Sequence, residues 1–185
     1  MHKRCFWVNE DQLYIDYHDN EWGKPVYDDK TLFEFLLLES FQAGLSWITI
    51  LKKRENFREA FDSFDYKKIA KYDSVKFEEL VNNAGIIRNK LKVKSAITNA
   101  QLFIEIQKEF GSFSNYIWGY IEGEPIVNSF KTKAEVPATT ELSEKISKDL
   151  KKYGFKFVGS TIIYAFMQAT GMVNDHTADC ICYQR

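Results

Sequence analysis

Two thiols and two imidazoles at opposite ends of the sequence carry the chemistry of a metal site. Cys5 and His18 lie near the start, His176 and Cys180 near the end. The His176-x-x-x-Cys180 spacing lets one helical turn or a tight loop aim imidazole and thiolate at one point. Cys5 and His18 complete a Cys2His2 set of the kind that closes a tetrahedron around zinc. Such a site is structural, because four protein ligands leave no open position for water chemistry. Its use is to staple two ends that otherwise fray. Cys182 replaces Cys180 if that segment is extended rather than turned. The competing reading makes the thiols small buried hydrophobes and the histidines surface residues, and no local spacing decides between the two.

Glu39 follows Leu32 by seven residues, Phe35 by four and Leu36 by three, so a helix here sets the carboxylate on an apolar face. A carboxylate so placed is costly unless it is paired or open to a cavity, which leaves a structural hydrogen bond or a functional pocket. Trp47 and, upstream, Trp7, Tyr14, Tyr17 and Trp22 are either ordinary core or the walls of that pocket. As walls around an acid they suit a planar, electron-poor or cationic ring, held by stacking and cation-π attraction.

A third constellation runs from Leu150 to Thr161: a helix end, a turn bounded by Gly154 and Gly159 with Lys156 between them, and a new helix start at Ser160. It reads as a helix-hairpin-helix over about residues 143–171, whose backbone N–H groups and second-helix dipole can meet an anion. From Lys145 to Lys156 there are five lysines and one acid, Asp149. Arg88, Lys90, Lys92 and Lys94 form a second basic run. Basic runs are usually solvated helix faces, but two of them with a glycine hairpin favour the DNA backbone as partner.

The elements that must position these groups are helical, and the class expected is all-α. Asp28 and Asp29 are good N-caps for an apolar segment from Leu32 through Leu38 that ends near Gly44. A second helix is expected from about Ser46 through Phe61, with Lys52, Lys53, Arg54, Glu55 and Arg58 among its solvent-facing positions. Amphipathic stretches follow at 66–71, 75–83, 90–110, 114–120 and 141–153. Residues 122–140 carry two of the three prolines and read as a long irregular connection or a short hairpin. The last helix should start near Ser160 or Thr161 and stop at Gly171. A chain of 185 residues makes one compact unit, or two helical lobes with the pocket between them. With 45% hydrophobic and 28% charged residues, disorder and fibrous repeats are excluded. The net charge of −1 gives no global positive field, so nucleic acid must be met by a local patch. No apolar run approaches the roughly 20 residues of a membrane span, and the polar start carries no signal-like segment, so the expectation is a cytoplasmic protein with no membrane partner. An aromatic share of 16% exceeds what a core of this size requires and points to a site built from aromatic faces.

These stretches resemble one family closely, over nearly the whole chain. Arg4-Cys5-Phe6-Trp7, Leu13 through Gly23, Gln42 through Thr49, Gly154 through Gly159 and Val173-Asn174-Asp175-His176 are similar to bacterial 3-methyladenine DNA glycosylase I. The resemblance implies a helix-hairpin-helix glycosylase fold with a zinc snap on Cys5, His18, His176 and Cys180. It implies that Tyr17, Trp47 and Glu39 bind the excised base, with Trp7, Tyr14 and Trp22 around them, and that Leu45 is a wedge inserted into the duplex. Phe6, Asp16 and Ser40 are positions expected to vary. The implied activity is hydrolysis of the N-glycosidic bond of N3-methyladenine in double-stranded alkylated DNA by a monomeric, monofunctional enzyme that releases free 3-methyladenine. No lysine stands in an obvious nucleophile setting, so strand cleavage is not expected. The superfamily's usual catalytic aspartate has no clear counterpart, Asn174-Asp175 lying where it would fall. A non-catalytic zinc-stapled DNA-binding module explains the hairpin and the basic runs, but leaves Glu39 and the aromatic group without a purpose.

Overall fold

The frame of the molecule is α2 (Asp29–Gln42), a helix enclosed on every side, in which all residues from Leu32 to Phe41 are buried, Glu34 and Glu39 among them. The computed structural model describes residues 3–183. Around α2 pack α3 (Trp47–Ala60), α6 (Lys90–Phe110), α7 (Phe113–Trp118) and α9 (Ser160–Ala169). The short α4 (Tyr66–Ile69) and α5 (Ser74–Asn82) lie against α6, and α8 (Glu141–Tyr153) packs along α9. The expected helices are present, with ends displaced by only a few residues. Asp28 is the cap of α2, accepting from the Thr31 N–H at 2.8 Å. Asp29 instead reaches across to cap α7, accepting from the N–H groups of Phe113 and Ser114.

Residues 12–20 form α1 (Gln12–Asn20), a helix absent from the pattern reading. Asp11 caps it by accepting from the Leu13 N–H at 3.1 Å. Its Asp, His and Asn residues are poor helix formers, and what holds it is the face it buries: Tyr14, Tyr17 and His18, spaced to project together.

The class is mainly helical with one addition. Residues 122–140 are irregular, as expected, but form no hairpin: β1 (Ile126–Val127) pairs in parallel with β2 (Val173–Asn174). This tethers the long connection beside the C-terminal segment. Arg54 also departs from expectation. It is buried, donating to Glu34 at 2.6 Å and to Glu21 at 2.7 Å, so it ties α2 and α3 to the turn after α1. Lys92 likewise turns inward, leaving Arg88, Lys90 and Lys94 exposed. The aromatic surplus divides cleanly. Ten phenylalanines are among the largest fully buried core side chains, whereas Trp7, Tyr14, Tyr17, Trp22 and Trp47 gather around a cavity, with Tyr27 apart from them against Trp118.

Candidate active site and metal centre

That cavity, of about 360 Å³, lies between α1 and the α2–α3 turn on one side and α9 on the other. All the residues proposed for a pocket from sequence line it: Trp7, Tyr14, Tyr17, Trp22, Glu39 and Trp47. Glu39 is 4% exposed. Among the described residues no hydrogen bond or ion pair reaches its carboxyl, and burial alone pushes it up to about 8. At neutral pH the empty cavity therefore holds Glu39 mainly protonated. The structural reading of this residue required a partner, and the carboxyl faces the cavity without one.

Two further polar atoms are unsatisfied. The buried indole N–H groups of Trp7 and Trp47 find no acceptor. Orphan buried donors are rare and costly in native folds, and both belong to walls of the cavity. The site thus offers one carboxyl and two N–H donors on aromatic surfaces.

Tyr17 and Trp47 do not form a slot. Their ring centroids are 5.6 Å apart at 50°, whereas a base sandwiched between two faces needs about 7 Å, twice an aromatic contact of about 3.5 Å. The two rings make one continuous angled wall. The opposite side comes from residues the sequence reading missed: Thr161, Ile162, Ala165 and Gln168 on α9, and Val136, Pro137 and Ala138 from the irregular connection. Phe6, expected to vary, and Gln42 stand at the cavity as well. The helical spacing of 161, 162, 165 and 168 marks one face of α9, but nothing in the sequence says that this face meets α1.

Asp175 also lines the cavity. It is 2% exposed and accepts from Tyr164 at 2.6 Å, Gln168 at 2.8 Å and Asn128 at 2.7 Å. With three donors it is a structural acceptor holding α9, the irregular connection and β2 together.

Behind the cavity the four ligands proposed from sequence meet. One ligand atom from each of Cys5, His18, His176 and Cys180 lies within 4.8 Å of every other, and all four residues are buried. The Cys180 sulfur is 3.4 Å from His18 Nε2 and 3.5 Å from His176 Nδ1, and the Cys5 sulfur is 3.5 Å from His176 Nδ1. With Zn–S near 2.3 Å and Zn–N near 2.0–2.1 Å, sulfur and nitrogen on one tetrahedral ion stand about 3.6 Å apart. The donor set therefore fits the group. Each imidazole has its far nitrogen engaged: His18 Nδ1 lies 2.7 Å from Asp19, which Arg4 grips with three hydrogen bonds, and His176 Nε2 lies 3.1 Å from the Trp22 carbonyl. Those partners fix the tautomers that leave His18 Nε2 and His176 Nδ1 free for metal. Burial lowers His176 to about 4 and lowers His18, so both are neutral ligands at pH 7. Cys182 is not in the four-ligand set. Its sulfur lies 3.9 Å from the other nitrogen of His18 and 3.8 Å from Asp19, and its N–H donates to the Cys180 sulfur. Trp22 and Trp7 pack against the histidines at 4.7 Å and 5.3 Å, so the Cys/His cluster and the cavity share a wall.

The hairpin is present, with its amides sorted differently from expectation. Gly154 takes the left-handed conformation that ends α8, φ +106°. The N–H groups of residues 154, 155 and 156 are all spent internally, the last on Asn99. Those of Phe157 through Ile162 have no acceptor among the described residues. Gly159 is the N-cap of α9, with no side-chain hydrogen bond capping the helix and open space where its Cβ would stand. Lys156 is exposed beside these amides. Leu45, 37% exposed, stands at the tip of the α2–α3 turn, between Gln42 and Trp47 of the cavity wall.

The sequence profile of the methyladenine glycosylase family matches residues 7–183. The chain belongs to this family. It is 50% identical over 182 residues to DNA-3-methyladenine glycosylase of Haemophilus influenzae, covering 98% of both chains. It superposes on a crystal structure of 3-methyladenine DNA glycosylase I with a TM-score of 0.96 at 47% identity, over 98% of this chain and 100% of that one. A variant of 3-methyladenine DNA glycosylase I solved in complex with 3-methyladenine gives a TM-score of 0.95 at 36% identity, over 98% of this chain and 97% of that one. No helix among the described residues is long and apolar enough to cross a membrane.

Proposed function

We propose that this glycosylase removes N3-methyladenine from alkylated double-stranded DNA by flipping the base into the aromatic cavity, as a monomeric, monofunctional cytoplasmic enzyme folded as one unit around the cavity. The observation that carries the reading is Glu39, buried, unpartnered and mainly protonated in a cavity whose walls are aromatic. Alkylation at N3 gives adenine a positive charge, which weakens the bond from N9 to the deoxyribose, so no strong acid is needed to expel it. Catalysis is then chiefly a matter of finding, flipping and holding the base.

Glu39 contributes through charge on demand. Ionising a carboxyl of pKa about 8 at pH 7 costs about 1.4 kcal/mol. A cationic purine over the acid recovers that at once in a desolvated site, while a neutral purine meets an uncharged acid and gains little. The carboxylate accepts from the base's amino group, the indole N–H groups of Trp7 and Trp47 meet its ring acceptors, and the base lies on the Tyr17–Trp47 wall with α9 behind it. Tyr14 and Trp22 complete the surround. The developing sugar cation is stabilised by the carboxylate and the neighbouring phosphates.

DNA is held by the free amides of residues 157–162, including those of Gly159 and Ser160, by Lys156, and by the exposed lysines of α8. Gly154 shapes the turn. Because α9 presents its N-terminus to the phosphate and its side to the cavity, one rigid element sets the register between backbone grip and base pocket. Leu45 fills the space the flipped base leaves. Cys5, His18, His176 and Cys180 hold one structural zinc, which when bound locks the segments carrying Trp7 and His176 together.

The test is incubation with methylated duplex DNA followed by separate assays of free base and strand integrity. Release of 3-methyladenine with intact strands until alkali treatment supports the proposal. A protein that retards the duplex yet releases nothing is a binding module instead.

A further inference from the structure

We propose that Lys92 is a positioning residue for base flipping, which with Asn99 uses α6 to fix the Leu45 turn relative to the phosphate-binding hairpin. The proposal rests on the reading of Leu45 as the wedge and of residues 157–162 as the DNA grip.

Lys92 lies in the basic run at the start of α6, yet it is only 6% exposed. Its ammonium donates to the carbonyl of Phe41 at 2.8 Å and to that of Ala43 at 2.8 Å. These are carbonyls at the end of α2, where a cation is favoured by the helix dipole. Ala43 leads directly into Gly44, at φ +83°, and the exposed Leu45. The same ammonium stands 5.9 Å from the ring centroid of Phe157. Phe157 holds a left-handed φ of +55° at the point where the hairpin's free amides begin. Seven residues along the same helix face, Asn99 donates to the Lys156 carbonyl at 2.9 Å and accepts from the Lys156 N–H at 2.9 Å.

Two side chains of one helix thus hold the two loops that the duplex must touch at once. Burying an ammonium against neutral carbonyls is expensive compared with an apolar side chain of similar length, so simple filling does not account for a lysine here. Its ammonium bonds the two carbonyls that lead into the wedge turn while standing over the Phe157 ring of the hairpin, a pair of contacts no apolar residue makes. Flipping requires the wedge to enter while the backbone stays gripped, and a turn free to shift by an ångström loses that timing.

The experiment compares single-turnover excision of 3-methyladenine from a fully paired duplex with excision from the same strand opposite an abasic gap, where no wedge is needed. Lys92→Met should lower the paired rate about tenfold or more while changing the gapped rate, zinc content and free 3-methyladenine binding less than about threefold. Leu45→Ala should show the same paired-to-gapped difference, and the double variant should be little worse than either single one. Lys92→Arg should restore part of the paired rate. Asn99→Ala, the second variant should Lys92→Met fold poorly, should weaken duplex affinity while sparing free-base binding. Equal loss on both substrates, or loss of base binding in step with excision, makes Lys92 a folding residue and overturns the proposal. If Leu45→Ala shows the difference and Lys92→Met does not, the wedge reading survives and the role of Lys92 falls. If neither does, the wedge reading fails and takes the proposal with it.

Discussion

Glu39→Gln should make the ligand-free protein more stable, and increasingly so as pH rises. The wild-type carboxyl titrates near 8 in the folded state against 4.5 as its ordinary value. A raised carboxyl favours the folded state below the ordinary value, and that advantage is lost as pH climbs through the folded one. At about pH 6 the folded protein has given up about 2 kcal/mol by keeping the group un-ionised, and at about pH 8 about 4 kcal/mol. Glutamine has nearly the same volume and does not titrate, while every other group is common to both proteins. The difference in unfolding free energy between the variant and the wild type should therefore widen by about 2 kcal/mol over that interval. Urea denaturation at the two pH values, with metal content matched, measures it. Parallel pH profiles for the two proteins would show that Glu39 is ordinarily ionised in the empty cavity, through a partner or water the geometry does not reveal. The carboxylate would then carry its charge before any base arrives, and a cationic purine would not be needed to ionise it.

Cys180→Ser should lose most of its metal and melt on the order of 10 °C lower, as expected for roughly 3 kcal/mol in a chain of this size, whereas Cys182→Ser should keep one zinc per chain; metal analysis beside calorimetry decides between the two cysteines. Gly159→Asp sets a carboxylate before the free amides of α9 and should weaken duplex binding about tenfold or more while leaving free 3-methyladenine binding intact. Equal loss of both in titration would make the hairpin a folding element. Gly171→Ala should cost roughly 3 kcal/mol or more, because a Cβ there would stand 2.3 Å from the backbone of Lys24 at a φ of +67°; near wild-type stability in urea would contradict the close approach.

The long helices were legible because their apolar periodicity or length is unambiguous, α6 and α8 to the residue. The metal set was legible by residue type, the pairing of distant ends being carried by the family resemblance rather than by spacing. α1 was not legible, because Tyr14, Tyr17 and His18 are held by a pocket and a Cys/His cluster made largely from other parts of the chain. For the same reason the α9 and 136–138 sides of the cavity are not legible: residues as ordinary as Thr161, Ile162, Ala165, Gln168 and Val136 come to line a cavity only through tertiary placement. Arg54 and Lys92 were misread as surface charges, since a charge on an amphipathic helix turns inward when Glu34 or the end of α2 waits for it. The hairpin glycines were found, but which amides are spent depends on Asn99, 57 residues from Lys156.

Recognition of a flipped cationic base by the Glu39 carboxyl on the Trp47 wall is tested by single-turnover release of 3-methyladenine from methylated duplex DNA by the wild type, Glu39→Gln and Trp47→Ala, with free-base binding measured on the same samples. Loss of the charge-assisted bond at a desolvated site is worth about 1.5 to 3 kcal/mol, so Glu39→Gln should fall roughly tenfold or more in excision or base affinity yet retain much of the acceleration. Trp47→Ala should lose base binding while still retarding the duplex. Excision and base binding both unchanged in Glu39→Gln would return that residue to a structural role and contradict the account.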